Sequence, residues 1–501
     1  MRSTGTRARS FFLRTRFAVY GVVAGASAAG IALTARRPAV LLPALILSLT
    51  LGAVGLDIYQ SLFLRVGRLL VMNRRLLEEV GELRRRSENL QHRSEIAHSA
   101  MLEMSIGLTQ TRAAAERSQS RRAAMLPRAR PRVLFVTSNG SGMGHLTRLT
   151  AIALAGRPRF DSTFVSLSTA AEVVACQGFD VIRIASQQLS GLTWPEWNRR
   201  FSECFDRLLG DIDPQVVVFD GIRVFRGVHE RSRYRGIPLA WVCRGLWKHG
   251  IDASQVRNWR DVADLLILPT EGALASMETS RPGGVEGGLP VDPIVHVDPK
   301  TRIARLEALR ELGLSPDHRY VLIQLGSGAL SDRSEWEHIA ARSVHSLGPE
   351  WRPVHLQSPL ARPQSAVDAD AVVLRRYPIA AHHAAFDFSI TAAGYNTVHE
   401  HIALAQPAIY IPDAGMLADD QPRRAKLLAD QGGGLVVEDP ASLPDAVSSL
   451  AVDQTRRAMI AALRRLETPS GAERSAQAID DLATTPPDAL ASVWFRMKKE
   501  G

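Results

Sequence analysis

Gly394, Asn396, Thr397 and Glu400 have the spacing in this 501-residue chain that points most directly to chemistry. They follow Phe388-Ser389-Ile390, which reads as the end of a buried strand, and Thr397 to Leu404 then carries helical periodicity. A strand, a tight turn and a helix start present unpaired N–H groups and a partial positive charge, which suit a diphosphate. Glu400, one turn into the helix, is placed to accept hydrogen bonds from ribose hydroxyls. Gly326-Ser327-Gly328, after the strand ending at Leu325, offers a second backbone cradle for phosphate. In the first half of the chain, Gly140-x-Gly142-x-Gly144-His145 follows the apolar run Val133 to Thr137. Its third glycine is misplaced for a dinucleotide fingerprint. The His145 imidazole suits a general base taking a hydroxyl proton; a helix cap or phosphate contact is the competing role. Asp220, closing the run Val216 to Phe219, either orients a histidine or caps the turn before Gly221. Arg244-Gly245-Leu246-Trp247 either lines an acceptor pocket or packs at a strand end.

The pattern Gly394-x-Asn396-Thr397-x-x-Glu400 resembles the donor-site signature of GT-B glycosyltransferases, in particular the UDP-glycosyltransferases and the MurG-like enzymes of family 28. Asp420-Gln421-Pro422-x-x-Ala425, about twenty residues on, is similar to the family's Asp-Gln-Pro-x-Asn-Ala, and Gln406 to Pro412 resembles the strand between them. The resemblance covers residues 131 to about 480. It implies two Rossmann-like halves facing a cleft, with Asp420 and Gln421 on the donor's sugar hydroxyls. The Arg376-Tyr377-Pro378 loop would hold uracil through backbone atoms. The loop of Gly142 and Gly144 ending in His145 resembles the acceptor-side loop of MurG-like enzymes, and Arg244 falls on the same side. Two positions depart from the pattern: Arg424 stands where the family often has Asn, and Ala392 where many members have a phosphate-binding His.

The strand and helix pattern agrees with an α/β chain. Apolar runs at Thr163 to Leu167, Val181 to Ile184, Leu239 to Val242 and Leu265 to Leu268 extend the first series of parallel strands. The Gly- and Pro-rich stretch 281–299 reads as a linker. A second series follows at Tyr320 to Leu325, Pro353 to Leu356, Ala371 to Leu374, Asp387 to Thr391, Ala408 to Ile411 and Gly434 to Val437. The expected organisation is a first half over 131–285, a second over 286–480 and a tail over 481–501.

Ahead of these lie a basic N-terminus (1–16), two apolar runs within 17–57 and a heptad-like helical stalk (58–126). The apolar runs, Phe17 to Ala35 and Ala39 to Leu56, are each just long enough to span a bilayer as a transmembrane hairpin. Arginines on both outer flanks predict cytoplasmic ends, and so a cytoplasmic catalytic region at an inner or plasma membrane. Small residues at Ala26-Ser27-Ala28 leave a cleaved signal peptide open for the first run. Leu at d and Asn73 at one a position suit a parallel homodimer, against a solitary amphipathic helix. Residues 1–132 hold 22 arginines and 8 acidic residues, a net +14, leaving 39 basic and 43 acidic residues, a net −4, for the remainder. The pI near 10 therefore reflects the flanks of the apolar runs and does not indicate nucleic-acid binding. Cys176, Cys204 and Cys243 have no metal-ligand spacing, and no metal is expected from Asp211-x-Asp213, His382-His383 or His399-x-His401. The sequence thus predicts a membrane-anchored, metal-independent and inverting transfer from a UDP-sugar, with no cofactor, to a lipid-linked or polysaccharide acceptor of the envelope. A UDP-sugar 2-epimerase of the same fold and a catalytically silent sugar-binding scaffold are the rival readings.

Overall fold

The computed structural model describes residues 130–138, 143–168, 170–297, 302–326, 333–357, 372–416 and 418–485. The expected transmembrane hairpin, the stalk and most of the C-terminal tail lie outside these residues, as do Gly142, Ser327 and Gly328. Among the described residues no helix is long and apolar enough to cross a membrane.

Two parallel sheets organise the described residues. The first contains β1 (Arg132–Thr137), β2 (Asp161–Ser166), β3 (Asp180–Arg183), β4 (Val216–Asp220), β5 (Leu239–Val242), β6 (Leu265–Pro269) and β7 (Leu289–Val291), in the order β3-β2-β1-β4-β5-β6-β7. The second contains β8 (Arg319–Gln324), β9 (Trp351–Leu356), β10 (Val372–Leu374), β11 (Phe388–Thr391), β12 (Ala408–Tyr410) and β13 (Leu435–Val436), in the order β10-β9-β8-β11-β12-β13. Both orders are doubly wound. Each reverses direction once, between β1 and β4 and between β8 and β11, and crevices beyond the strand ends at such reversals are where ligands enter open α/β sheets.

The strands read as unbroken apolar runs because both sheet faces are covered. Val133 and Phe135 pack with Leu149 and Ile152 of helix α1 (Gly144–Ala155), whereas Leu134 and Val136 face Trp197, Phe201 and Phe205 of α2 (Trp194–Ile212). In the second half, Ile323, Phe388, Ile390 and Ile409 share a core with Val398 of α3 (Tyr395–Leu404) and Leu428 of α4 (Gln421–Asp430). Two features differ from the sequence pattern. The stretch expected as a linker contributes β7, whose register Ile267↔Leu289 to Pro269↔Val291 makes it the seventh strand of the first sheet. The helix α5 (Ala472–Thr484) returns to that sheet, burying Ala476, Ile479 and Leu482 beside Leu149 and Ile152.

Candidate active site

The reversal points put the sequence candidates face to face. α1 starts directly after the loop that follows β1, and α3 directly after the loop that follows β11. Neither first turn contains an acidic residue or a side-chain cap. Among the described residues no N-cap side chain closes either start, whereas α4 is closed by Asp420, whose carboxylate accepts from Arg423 N at 3.2 Å. Asn396 Nδ2 donates to Gly144 O at 3.1 Å, joining the two helix starts across the halves. A Cβ added to Gly394 or Gly326 would meet no described residue within 4 Å. Gly326 also has φ +113°, a conformation that favours glycine.

On the α1 side, His145 Nδ1 lies 2.7 Å from Asp220 Oδ1. Arg148, one turn along the helix, grips the same carboxylate twice, Nε to Oδ2 at 2.8 Å and Nη2 to Oδ1 at 2.7 Å. Burial works to raise the Asp220 carboxyl, but Arg148 and His145 outweigh it and hold it below the usual carboxylate range. An ionised carboxylate only accepts, so in the 2.7 Å contact Nδ1–H donates to Asp220 and Nε2 of the neutral ring is left as the acceptor; Arg148 Nη2 packs 3.1 Å from the same Nδ1. Among the described residues Nε2 has no hydrogen-bond partner. The ring is 20% exposed and its carboxylate 1%, so the dyad is anchored in the core and open at its tip. The two residues singled out for proton transfer are brought together.

On the α3 side, Glu400 is half-buried, with no hydrogen bond or ion pair to any described residue. Burial alone pushes its carboxyl up to about 7. The neighbouring Tyr377 phenol, raised mainly by its own burial and further by the Glu400 charge, bonds to Thr147 Oγ1 of α1 at 2.7 Å. Thr397 is half-buried in the first turn of α3, and Asn396 Oδ1 is buried without a partner among the described residues. Gln421 spends its Oε1 on Asp413 N at 3.0 Å, which shapes the loop before α4. Arg244 takes Asp419 at 2.7 Å, so its guanidinium bridges the halves.

Sequence reasoning missed a buried ion cluster behind these groups. Glu271, after β6, receives Arg424 Nε and Nη2 at 2.9 and 2.8 Å and lies 3.0 Å from His399 Nε2. Arg424 Nη1 reaches Asp419 at 2.8 Å. The guanidiniums of Arg148, Arg244 and Arg424 lie 5.5, 5.7 and 5.6 Å from the centre of the Tyr395 ring, whose hydroxyl donates to Thr270 O at 3.0 Å. Asp220, Glu271 and Asp419 balance those three arginines, which lets the cluster be buried. The signal in the sequence was Arg424 itself: its departure from the family pattern is answered by Glu271 in the other half. Other titratable pairs serve structure. Asp213 pairs with Arg132, His401 Nδ1 lies 3.0 Å from Tyr410 OH, and His382 lies 2.8 Å from Glu311. Among the described residues no group of three or more His, Cys, Asp or Glu side chains is arranged to hold a metal.

Residues 365–476 match the glycosyltransferase family 28 C-terminal domain. Over these residues the chain is similar to the family 28 glycosyltransferases. Among curated proteins it is 33% identical over 218 residues, 41% of this chain and 52% of the relative, to the UDP-N-acetylglucosamine--N-acetylmuramyl-(pentapeptide) pyrophosphoryl-undecaprenol N-acetylglucosamine transferase of Mycolicibacterium paratuberculosis. It is 29% identical over 287 residues, 55% of this chain and 74% of the relative, to the protein of the same description from a Nocardioides species. The chain therefore spans about half the length of the first of these family 28 relatives. The crystal structure of Acinetobacter baumannii MurG overlaps 70% of this chain and 99% of its own, at 16% identity and a TM-score of 0.48.

Proposed function

We propose that this protein transfers a sugar from a UDP-sugar to a hydroxyl of a lipid-linked envelope acceptor, with inversion at the anomeric carbon. The observation that carries the reading is the His145–Asp220 dyad, joined through the Asn396–Gly144 bond to the uncapped start of α3. Glu400 takes the ribose hydroxyls, and the N–H groups at the start of α3, with the backbone at Gly326, take the diphosphate. The acceptor oxygen attacks the anomeric carbon while His145 Nε2 removes its proton. The bond between that carbon and the diphosphate oxygen breaks, and UDP leaves with the electron pair, its charge met by the N–H groups of α3. Asp220 keeps the imidazole in the tautomer that accepts at Nε2 and steadies the imidazolium that forms. Because helix dipoles and N–H groups receive the leaving charge, the step proceeds without a divalent cation.

The relatives named as acting on pyrophosphoryl-undecaprenol substrates make UDP-N-acetylglucosamine and a polyprenyl-pyrophosphate-linked sugar the first pair to offer. The apolar runs within residues 17–57, flanked by arginines, fit an anchor that brings the cleft to such an acceptor at the cytoplasmic membrane face. The test is a panel of UDP-sugars scored by thermal shift, then UDP release on adding membrane lipid extract. Release that depends on both donor and lipid is expected; release or epimerised donor without any acceptor refutes transfer.

A further inference from the structure

The loop Asp413 to Asp420, which leads into Asp420-Gln421, is held by the opposite half of the molecule. Lys248 Nζ donates to Ala414 O at 2.5 Å and to Met416 O at 2.6 Å. Lys248 N donates to Ala418 O at 2.8 Å, Asp420 N donates to Leu246 O at 3.1 Å, and Trp247 and Asp419 form an antiparallel bridge. Arg244 adds its ion pair to Asp419. The segment Arg244 to Lys248 therefore makes a short two-stranded patch with the loop, closed at its outer end by an ammonium on two carbonyls.

Local geometry indicates that this segment is built to reach across. Gly245 passes so close to the Ser280 carbonyl that a Cβ would lie 1.6 Å from its oxygen. Leu246 has φ +54°, an unusual conformation for a leucine, kept here by full burial of its side chain. Such a turn persists only where its surroundings fix it, and here it directs Trp247 and Lys248 onto the loop.

We propose that Lys248 is a positioning residue for the sugar end of the donor site: the acceptor-side half, through Lys248, sets the placement of Asp420 and Gln421. The inference rests on the donor reading above. The consequence is that UDP, which ends at the diphosphate, is bound without help from Lys248, whereas a UDP-sugar needs it.

The test compares Lys248→Met, which keeps the aliphatic stem, with Lys248→Arg, which restores a cation with several donors, in the full-length protein. Without ligand, hydrogen exchange of the amides from Gly415 to Gln421 should quicken in Lys248→Met and return toward wild type in Lys248→Arg; unchanged exchange overturns the positioning role. In calorimetry, Lys248→Met should bind UDP-N-acetylglucosamine about tenfold more weakly while UDP stays within about twofold, as expected when a charge-assisted contact is lost indirectly. Equal weakening of both ligands, or of neither, overturns the proposal. A wild-type protein that binds neither ligand refutes the donor reading itself, and the exchange arm still reports on the loop.

Discussion

Replacing Glu400 by Gln should move stability and donor affinity in opposite directions. The carboxyl has a usual value of 4.5 and is pushed up to about 7 by burial, with no described partner to offset it. A folded-state value above the unfolded one gives a contribution that is fully present below the unfolded value and lost as pH rises through about 7. At pH 8.5 the ionised group therefore costs the folded protein up to about 3 kcal/mol, and partial solvent access reduces this to about 1–2 kcal/mol. Glu400→Gln removes that cost, and unfolding monitored by circular dichroism should show a Tm higher by about 2–4 °C at pH 8.5. At pH 4.5 and below, where the carboxyl is protonated in the folded protein, the gain should shrink toward zero. Donor binding should fall, because an amide offers one acceptor oxygen where the carboxylate offers two: about 1.5–3 kcal/mol, or roughly 10- to 100-fold in Kd. For the wild type, affinity for UDP-N-acetylglucosamine should rise about tenfold from pH 6 to pH 8 as the carboxyl ionises, and the Gln variant should be flat. Calorimetry at the two pH values is the assay. Equal wild-type affinities at pH 6 and 8, or a Gln variant less stable than wild type at pH 8.5, would refute the assignment of an unpaired carboxyl awaiting ribose.

Three further outcomes test the remainder of the site. His145→Ala should retain donor affinity in calorimetry and lose turnover by about a hundredfold or more, because only proton removal is affected. Asp220→Asn should lower turnover by about 10²–10⁴-fold, since an amide lets the imidazole turn or change tautomer; nuclear magnetic resonance of labelled histidine should show the proton moving off Nδ1. Arg424→Ala should lower stability by about 3–5 kcal/mol in a denaturant titration by leaving Glu271 and Asp419 buried without their guanidinium, while Arg424→Met with Glu271→Leu should recover part of it.

Much of the frame was legible in the sequence because parallel strands covered on both faces are solid apolar runs. β1, β4, β5 and β11 lie within a residue or so of their expected bounds. The partnership of His145 with Asp220 was within reach because Asp220 closes β4 and His145 opens the helix after β1, both at or beyond strand ends where chemistry in such sheets collects. β7 was hidden by Gly and Pro residues that read as a linker, and its three-residue length leaves almost no periodicity to detect. The packing of α5 on the first sheet was not legible because nothing in an amphipathic helix states which sheet it will cover. The Glu271–Arg424 pair, separated by 153 residues, emerges only when the halves meet. Arg148 went unnoticed for a simpler reason: an arginine one turn after a histidine looks like a solvated helix face, and only its complete burial marks it as part of the dyad.

The central claim is sugar transfer across this cleft, and the most direct measurement is the product formed from UDP-N-acetylglucosamine and a polyprenyl-pyrophosphate-linked acceptor. One UDP should be released per sugar transferred, the product should have inverted anomeric configuration by nuclear magnetic resonance, and His145→Ala should lose that product with donor binding intact. Free sugar or 2-epimerised donor formed without acceptor, or product made at the wild-type rate by His145→Ala, would contradict it.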